Sequence, residues 1–259
     1  MSYRTILFFG MSALLLTSCG AQSDGGGAAT ESAESGQGGS MSRFAVVDGS
    51  LYTLNSPFIH KYDVSKASEI RPLNEGMIAS NDGETIFVRD SLLYVGSQSG
   101  MYILSLKNLS NLSSVSHFVS CDPVVALDTF AYVTLSTGTS CRWDATPSLQ
   151  IYSVKNPLAP RMVKGYSMYN PRGLAIRDSL LFVCDEGLKI YYAKHPADSL
   201  PRLKHVKSID GYDVILRDTT ILLIGDDGFY QYGYRAYTEN GRMEVSLDLL
   251  SHISAQGKE

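Results

Sequence analysis

Tryptophan occurs once in these 259 residues, histidine five times and cysteine four times. The histidines (His60, His117, His195, His205 and His252) are scattered, and no spacing among them assembles a zinc site, so neither a metal nor another cofactor is expected. Apolar residues nowhere recur at helical spacing, which excludes a helix bundle. A basic stripe is missing too. Of 22 basic and 26 acidic residues, Arg4 lies in the first twenty positions and Asp24, Glu31 and Glu34 in the next twenty, leaving 21 against 23. Such a domain has no means of neutralising a phosphate backbone, so nucleic acid is not an expected partner.

The chain opens on MSYRTILFFGMSALLLTSCG, with one positive charge, an apolar core from Ile6 to Leu16 and a small-residue site. That is an export signal, too short to span a bilayer. Its end, Leu16-Thr17-Ser18-Cys19, looks like a bacterial lipobox, in which Cys19 becomes the acylated first residue after cleavage; the alternative is a plain signal peptide with a chance cysteine. Bacterial lipoproteins carry several acyl chains, and stable attachment needs more than one. The membrane is therefore expected as a partner through the lipid anchor only. Gly20 stands where an inner-membrane retention signal would place Asp, which favours the outer membrane or cell surface. Residues 20–40 hold no large apolar or aromatic side chain, cannot bury enough surface to offset ordering entropy, and read as a flexible acidic tether. The expected organisation is a signal peptide over 1–18, lipidated cysteine and tether over 19–40, and one folded domain over 41–259.

Within that domain an Asp-containing turn followed by a short apolar strand recurs five times, at Asp48, Asp90, Asp128, Asp178 and Asp218, in steps of 42, 38, 50 and 40 residues. Each turn joins two apolar runs, as in ETIFVRDSLLYV and GLAIRDSLLFV, which predicts a tight hairpin of buried strands. A third strand follows (IHKYD, MYILS, LQIYS, LKIYY, FYQYG), and a fourth run closes the unit, as in RMVKGY and LKHVKSI. Four antiparallel strands per unit of roughly 40 residues is the pattern of a β-propeller blade. The expected fold is all-β, a five-bladed β-propeller of four-stranded antiparallel blades at about 41–80, 81–119, 120–168, 169–209 and 210–250. The ring is expected to close by contact between the strand near 242–250 and the strand near 43–47, with an open arc needing a partner as the alternative.

The third strands with their following turns, SLQIYSVKNPLAP and GLKIYYAKHPADSLP, resemble the LVIVD repeat of bacterial and archaeal surface proteins, whose core runs Gly-Leu-x-Ile-x-Asp before an Asn-Pro-type turn. The resemblance covers residues 41 to 250. Asp63 alone keeps the aspartate after the third strand; Ser105, Ser153, Tyr192 and Gly233 replace it elsewhere. It implies a propeller scaffold at the cell surface and supplies no catalytic motif, so no catalytic residue is assigned.

In a propeller the loops that lead into the first strands share a face with the loops joining second to third strands. Counting back from the turn aspartates places Ser42 and Arg43, Glu84 and Thr85, Asp122 and Pro123, Arg172 and Gly173, and Tyr212 and Asp213 at the axial entrance. That polar ring is either a binding face or mere solvation of a wet opening. The second-to-third connection is four or five residues in four blades but fifteen in blade three, Thr134 to Ser148, and loops of that length are usually functional or disordered. This insertion, STGTSCRWDATPS, carries Cys141, Arg142 and Trp143. Cys121 precedes Asp122 on the same face, so a Cys121–Cys141 disulfide is expected, against two free thiols. Cys184 reads as a small buried hydrophobe. Asp185-Glu186-Gly187 and Asp226-Asp227-Gly228 read as turns before they read as calcium ligands.

The leading functional expectation is a non-enzymatic module binding a protein, peptide or glycan through Arg142, Trp143, Arg43, Glu84, Asp122, Arg172, Tyr212 and Asp213, since Trp and Arg most often anchor interfaces. The alternatives are a glycan-active hydrolase using Glu84, Asp122 or Asp213, and a structural component of an envelope complex.

Overall fold

The computed structural model describes residues 39–78, 81–115, 123–136 and 146–255. Strands and turns account for their regular structure; among the described residues no helix is long and apolar enough to cross a membrane. Blade 1 contains β1 (Phe44–Val47), β2 (Ser50–Asn55), β3 (Phe58–Lys66) and β4 (Glu69–Pro72), with a short β5 (Met77–Ile78) also on β3. Blade 2 contains β6 (Gly83–Arg89), β7 (Leu92–Ser97), β8 (Gly100–Ser105) and β9 (Asn111–Val115). Blade 3 contains β10 (Val124–Leu127), β11 (Phe130–Leu135), β12 (Ser148–Ser153) and β13 (Arg161–Ser167). Blade 4 contains β14 (Leu174–Arg177), β15 (Leu180–Cys184), β16 (Leu188–Tyr192) and β17 (Arg202–Val206). Blade 5 contains β18 (Gly211–Arg217), β19 (Thr220–Gly225), β20 (Gly228–Glu239) and β21 (Arg242–Ser254). Every blade is an antiparallel meander paired in chain order, and the molecule is a five-bladed β-propeller.

The repeat has one local origin. All five turn aspartates take a left-handed backbone, with φ between 48° and 53°. Asp tolerates that region better than most residues because its short side chain bonds nearby backbone, and it lets a two-residue loop match the twist of its strands. The second loop residue then accepts a bond from the end of the third strand in every blade: Val64, Leu106, Val154, Ala193 and Tyr234 donate their amides to the carbonyls of Gly49, Ser91, Thr129, Ser179 and Thr219 at 2.7–2.8 Å. One turn thereby fixes three strands. Between third and fourth strands the register slips in each blade, after Ile103, Ile151, Ile190 and Gln231 in blades 2 to 5, and such bulges sharpen local twist.

Alternate residues of each blade pack on the blade before and the blade after. Four buried clusters result, joining blades 1 and 2, 2 and 3, 3 and 4, and 4 and 5. Phe182 against Tyr234, edge to face with ring centroids 5.3 Å apart, is one such contact between blades 4 and 5. Tyr230, Tyr232 and Tyr234 of β20 belong to the same cluster.

Among the described residues no such cluster joins blade 5 to blade 1, and here the structure departs from the expected closure. β21 pairs with β20 along its length and β1 pairs with β2. The residue four before the turn aspartate is at most 2% exposed in blades 2 to 5 (Ile86, Val124, Leu174, Val214), yet Phe44 of blade 1 is 55% exposed. Six residues after the aspartate, Leu54, Thr134 and Cys184 are buried, whereas Ile224 of blade 5 is 47% exposed. What ties the two end blades together is polar and axial. Ser40, buried, donates its hydroxyl to Asp213 Oδ1 at 3.1 Å and accepts from the Leu174 amide at 2.8 Å, so the chain preceding β1 lies on the inner strands of blades 4 and 5. Gly39 fits there because a Cβ would stand 2.1 Å from the Asp213 carboxylate.

Candidate binding face

The loops leading into first strands do lie beside the second-to-third connections. Gln98 donates its amide to the Asp82 carbonyl at 3.2 Å, Arg172 to that of Cys184 at 2.8 Å, and Asp226 to that of Asp210 at 3.1 Å. Three short connections are tighter than the sequence suggested, Ser56-Pro57, Gln98-Ser99 and Asp226-Asp227, because the hairpins extend further. In blade 3 twelve residues separate β11 from β12. Cys121, Asp122, Cys141, Arg142 and Trp143 lie outside the described residues, as does Cys19.

The remaining candidates separate into three networks. Arg43 pairs with Glu84, which also accepts from Gln98 Nε2 at 3.2 Å. That bridge between blades 1 and 2 is solvent-exposed on the arginine side and adds little stability. Asp213 faces inward, taking the Ser40 hydroxyl, its own neighbour's amide from Val214 at 2.9 Å, and the Met41 amide. Desolvation under this cover pushes its carboxyl up to about 6, against those hydrogen bonds, which act to lower it.

The third network faces solvent. Arg172 lies over the Tyr212 ring, 4.5 Å from its centroid, with its guanidinium 3.4 Å from Asp210. Cation–π contact at an exposed site is worth about 0.5–1 kcal/mol, and it holds Tyr212, 40% exposed, in place as a platform. Tyr169, 70% exposed, stands in the same lead-in loop as Arg172. That loop is anchored from beneath: Asp185 Oδ1 accepts the Tyr169 and Asn170 amides at 3.1 and 2.7 Å, and its Oδ2 takes Lys189 Nζ at 2.7 Å. Thr134 donates its hydroxyl to the Arg172 carbonyl at 2.6 Å, so the blade-3 insertion departs, two residues later, from beside this patch. Beside it, Glu186, Gly187, Lys207, Ile209 and Asp210 line a shallow open depression of about 290 Å³. A side-chain hydrogen bond with Asp210 raises the Asp226 carboxyl.

The turn reading of the acidic tripeptides has a structural cause. Asp185 spends its oxygens on Lys189 and two amides, Glu186 and Gly187 take positive φ, and Asp227 accepts the Tyr230 hydroxyl at 2.5 Å. Among the described residues no group of three or more His, Cys, Asp or Glu is placed to hold a metal ion. Cys184 is buried at the blade 4–5 interface, and desolvation pushes its thiol up, away from the reactive thiolate. Sequence reasoning missed Ser40, Asp185 and Tyr169. The Asn-Pro following Tyr169 did signal an ordered turn there. It missed too the arm formed where β20 and β21 run past the blade to Asn240-Gly241, both at positive φ, although Asn-Gly between alternating residues is the strongest short hairpin signal.

No protein-family model and no curated protein matches the chain. Among solved structures it is similar to Kluyveromyces lactis Hsv2 with loop 6CD replaced by a Gly-Ser linker, at 11% identity and a TM-score of 0.49, over 83% of this chain and 72% of that one. It is similar also to BamB from Moraxella catarrhalis, at 11% identity and a TM-score of 0.47, over 68% of this chain and 53% of that one.

Proposed function

We propose that this protein is a lipid-anchored β-propeller of the cell envelope that binds a protein partner through its entrance face. One observation carries the reading: exposed Tyr212 is stacked under Arg172, whose loop also carries exposed Tyr169 and is bonded by Thr134 where the tryptophan-bearing insertion of blade 3 departs. Tyr, Arg and Trp are the residue types that dominate interface energetics, and a pre-stacked pair loses less entropy on binding. The LVIVD-like third strands support a surface location, and Cys19 supplies the anchor. A Cys121–Cys141 bridge would tie the insertion to the lead-in loop of its own blade.

Recovery of envelope proteins on the immobilised full-length chain tests the binding face. A Tyr212→Ala, Arg172→Ala variant and a Trp143→Ala, Arg142→Ala variant are each expected to lose the same partner at least tenfold, about 1.4 kcal/mol. Undiminished recovery by both variants overturns the face. The anchor and bridge are checked by intact mass of the membrane-extracted protein: a mature chain beginning at acylated Cys19, with only Cys184 alkylated before reduction. A soluble chain without lipid, or three reactive thiols in the denatured protein, refutes the corresponding part.

The hydrolase alternative gains no comparable support. Glu84 is held by Arg43 and Gln98, Asp213 is covered by Ser40 and Met41, and the two belong to separate networks.

A further inference from the structure

Three segments meet behind the Arg172–Tyr212 pair, and one of them is the stretch that leads into β1. Gly39 to Ser42 forms a turn, with the Ser42 amide donating to the Gly39 carbonyl at 3.0 Å. From this turn two acceptors reach the first strands β6 and β14, which are sheet edges. The Ser42 carbonyl takes the Ile86 amide of blade 2 at 2.8 Å, and the Ser40 hydroxyl takes the Leu174 amide of blade 4 at 2.8 Å. Ile86 and Leu174 hold equivalent places, each four residues before a turn aspartate. The turn is therefore a strap across the axis, from blade 2 to blade 4.

On blade 5 the strap holds Asp213, whose Oδ1 accepts the Ser40 hydroxyl at 3.1 Å and whose carboxylate also takes the Met41 amide. Gly39 and Gly173 both lie against that carboxylate: a Cβ on the first would stand 2.1 Å from Oδ2, and on the second 2.2 Å from Oδ1. The residues so clasped are the chain neighbours of the binding pair. Asp213 follows Tyr212, and Leu174 lies two residues after Arg172. Between them the Gly173 amide donates to the Tyr212 carbonyl at 2.9 Å, where the guanidinium covers the ring 4.5 Å from its centroid. One buried hydroxyl thus spans the two strands that carry the stack, donating to one and accepting from the other. Its loss leaves a buried amide and a carboxylate each short of a partner, at the junction that sets Arg172 against Tyr212.

We infer that the Gly39–Ser42 strap is a regulatory clasp for the entrance face: docked, it holds Arg172 on Tyr212 in the form that binds the protein partner, and released, it lets the pair separate. Resting on the binding face proposed above, the clasp gives that face an input from the segment before Gly39, because whatever displaces that segment acts first on β14 and β18. The coupling is reciprocal, so a partner that needs the stacked pair tightens the strap in return. The strap is fit for release. Hydrogen bonds fasten it, its one large side chain, Met41, is exposed, and it spans the seam between blades 5 and 1, which no buried apolar cluster closes among the described residues.

Two variants of the full-length chain release the strap by different means: Ser40→Ala removes the hydroxyl, and Gly39→Ala drives a methyl into the Asp213 carboxylate. Ser65→Ala of blade 1 is the control, since Ser65 likewise donates its hydroxyl to a carboxylate, Asp63 Oδ1 at 2.6 Å. The stack is read without a partner from the ring-current displacement of the Arg172 side-chain resonances, with Tyr212→Ala supplying the unstacked value, and binding is read from recovery of envelope proteins. Both strap variants are expected to move the Arg172 resonances at least halfway to the unstacked value and to lower recovery at least tenfold, with circular dichroism unchanged; Ser65→Ala does neither. Arg172 resonances unmoved in both strap variants, undiminished recovery by them, or global unfolding of both would overturn the clasp. The Tyr212→Ala, Arg172→Ala variant tells the failures apart: if it too keeps the partner, the binding face itself is wrong.

Discussion

Asp185→Ala is expected to cost about 3–5 kcal/mol, the usual loss when one partner of a buried ion pair is removed, and to disorganise the Tyr169–Arg172 loop with it. Asp185 and Lys189 are both buried, so removing the carboxylate strands an ammonium whose remaining acceptor is Glu186 Oε2, at 3.3 Å and half exposed. It also removes the acceptor of the Tyr169 and Asn170 amides. Lys189→Met reverses the situation: Asp185 keeps both amide donors, and the new side chain fills the apolar stem's volume. That variant is expected to cost about 2 kcal/mol, in the range for one charged hydrogen bond. The asymmetry is the content of the prediction. Urea denaturation of both variants measures it, and equal losses would show that the amide bonds to Asp185 contribute nothing. Partner recovery should fall with Asp185→Ala and survive Lys189→Met, because only the first releases the loop that carries Tyr169 and Arg172.

This division between scaffold and face explains how much the sequence could disclose. The five turn aspartates were legible because a left-handed loop position restricts residue choice, and few residues other than Gly, Asn and Asp take it cheaply. Strand order followed from the loop lengths, since two-residue connections force antiparallel neighbours. The seam was illegible for a definite reason. Phe44 and Val46 repeat the apolar positions of Ile86 and Val88, so the pattern states that the face needs covering and is silent about what covers it. For Arg43, Glu84, Arg172, Tyr212 and Asp213, counting assigns a position and not a partner. Whether an arginine lies on a tyrosine or on a glutamate depends on inter-blade distances that no local pattern encodes. Ser40 escaped because it belongs to a segment whose composition reads as tether, and its burial is imposed by Asp213 and Leu174, more than 130 residues away.

Asp213→Asn is expected to stabilise the protein by about 2 kcal/mol at pH 7 and to abolish a pH dependence expected of the natural chain. The carboxyl is raised from 3.8 to about 6, first by desolvation beneath Gly39, Ser40 and Gly173, while the bonds from Val214, Ser40 and Met41 oppose the rise. Between those two values the folded state binds more protons than the unfolded one, so this group's contribution is full below about 4, falls as pH rises through 6, and is absent above. Two units correspond to about 3 kcal/mol at 1.4 per unit, and the residue's partial exposure reduces that to about 2. Asparagine keeps an acceptor for the Ser40 hydroxyl and removes the charge. Its stability should therefore match that of the natural chain near pH 4 and exceed it near pH 7, as read from urea midpoints across that range. Desolvation is the largest influence on this carboxyl, and the three that oppose it are all hydrogen bonds. Identical pH profiles for the two chains would mean that the Ser40 segment does not sit on Asp213 in solution. The axial link between the Ser40 segment and blade 5 would then be lost along with the prediction.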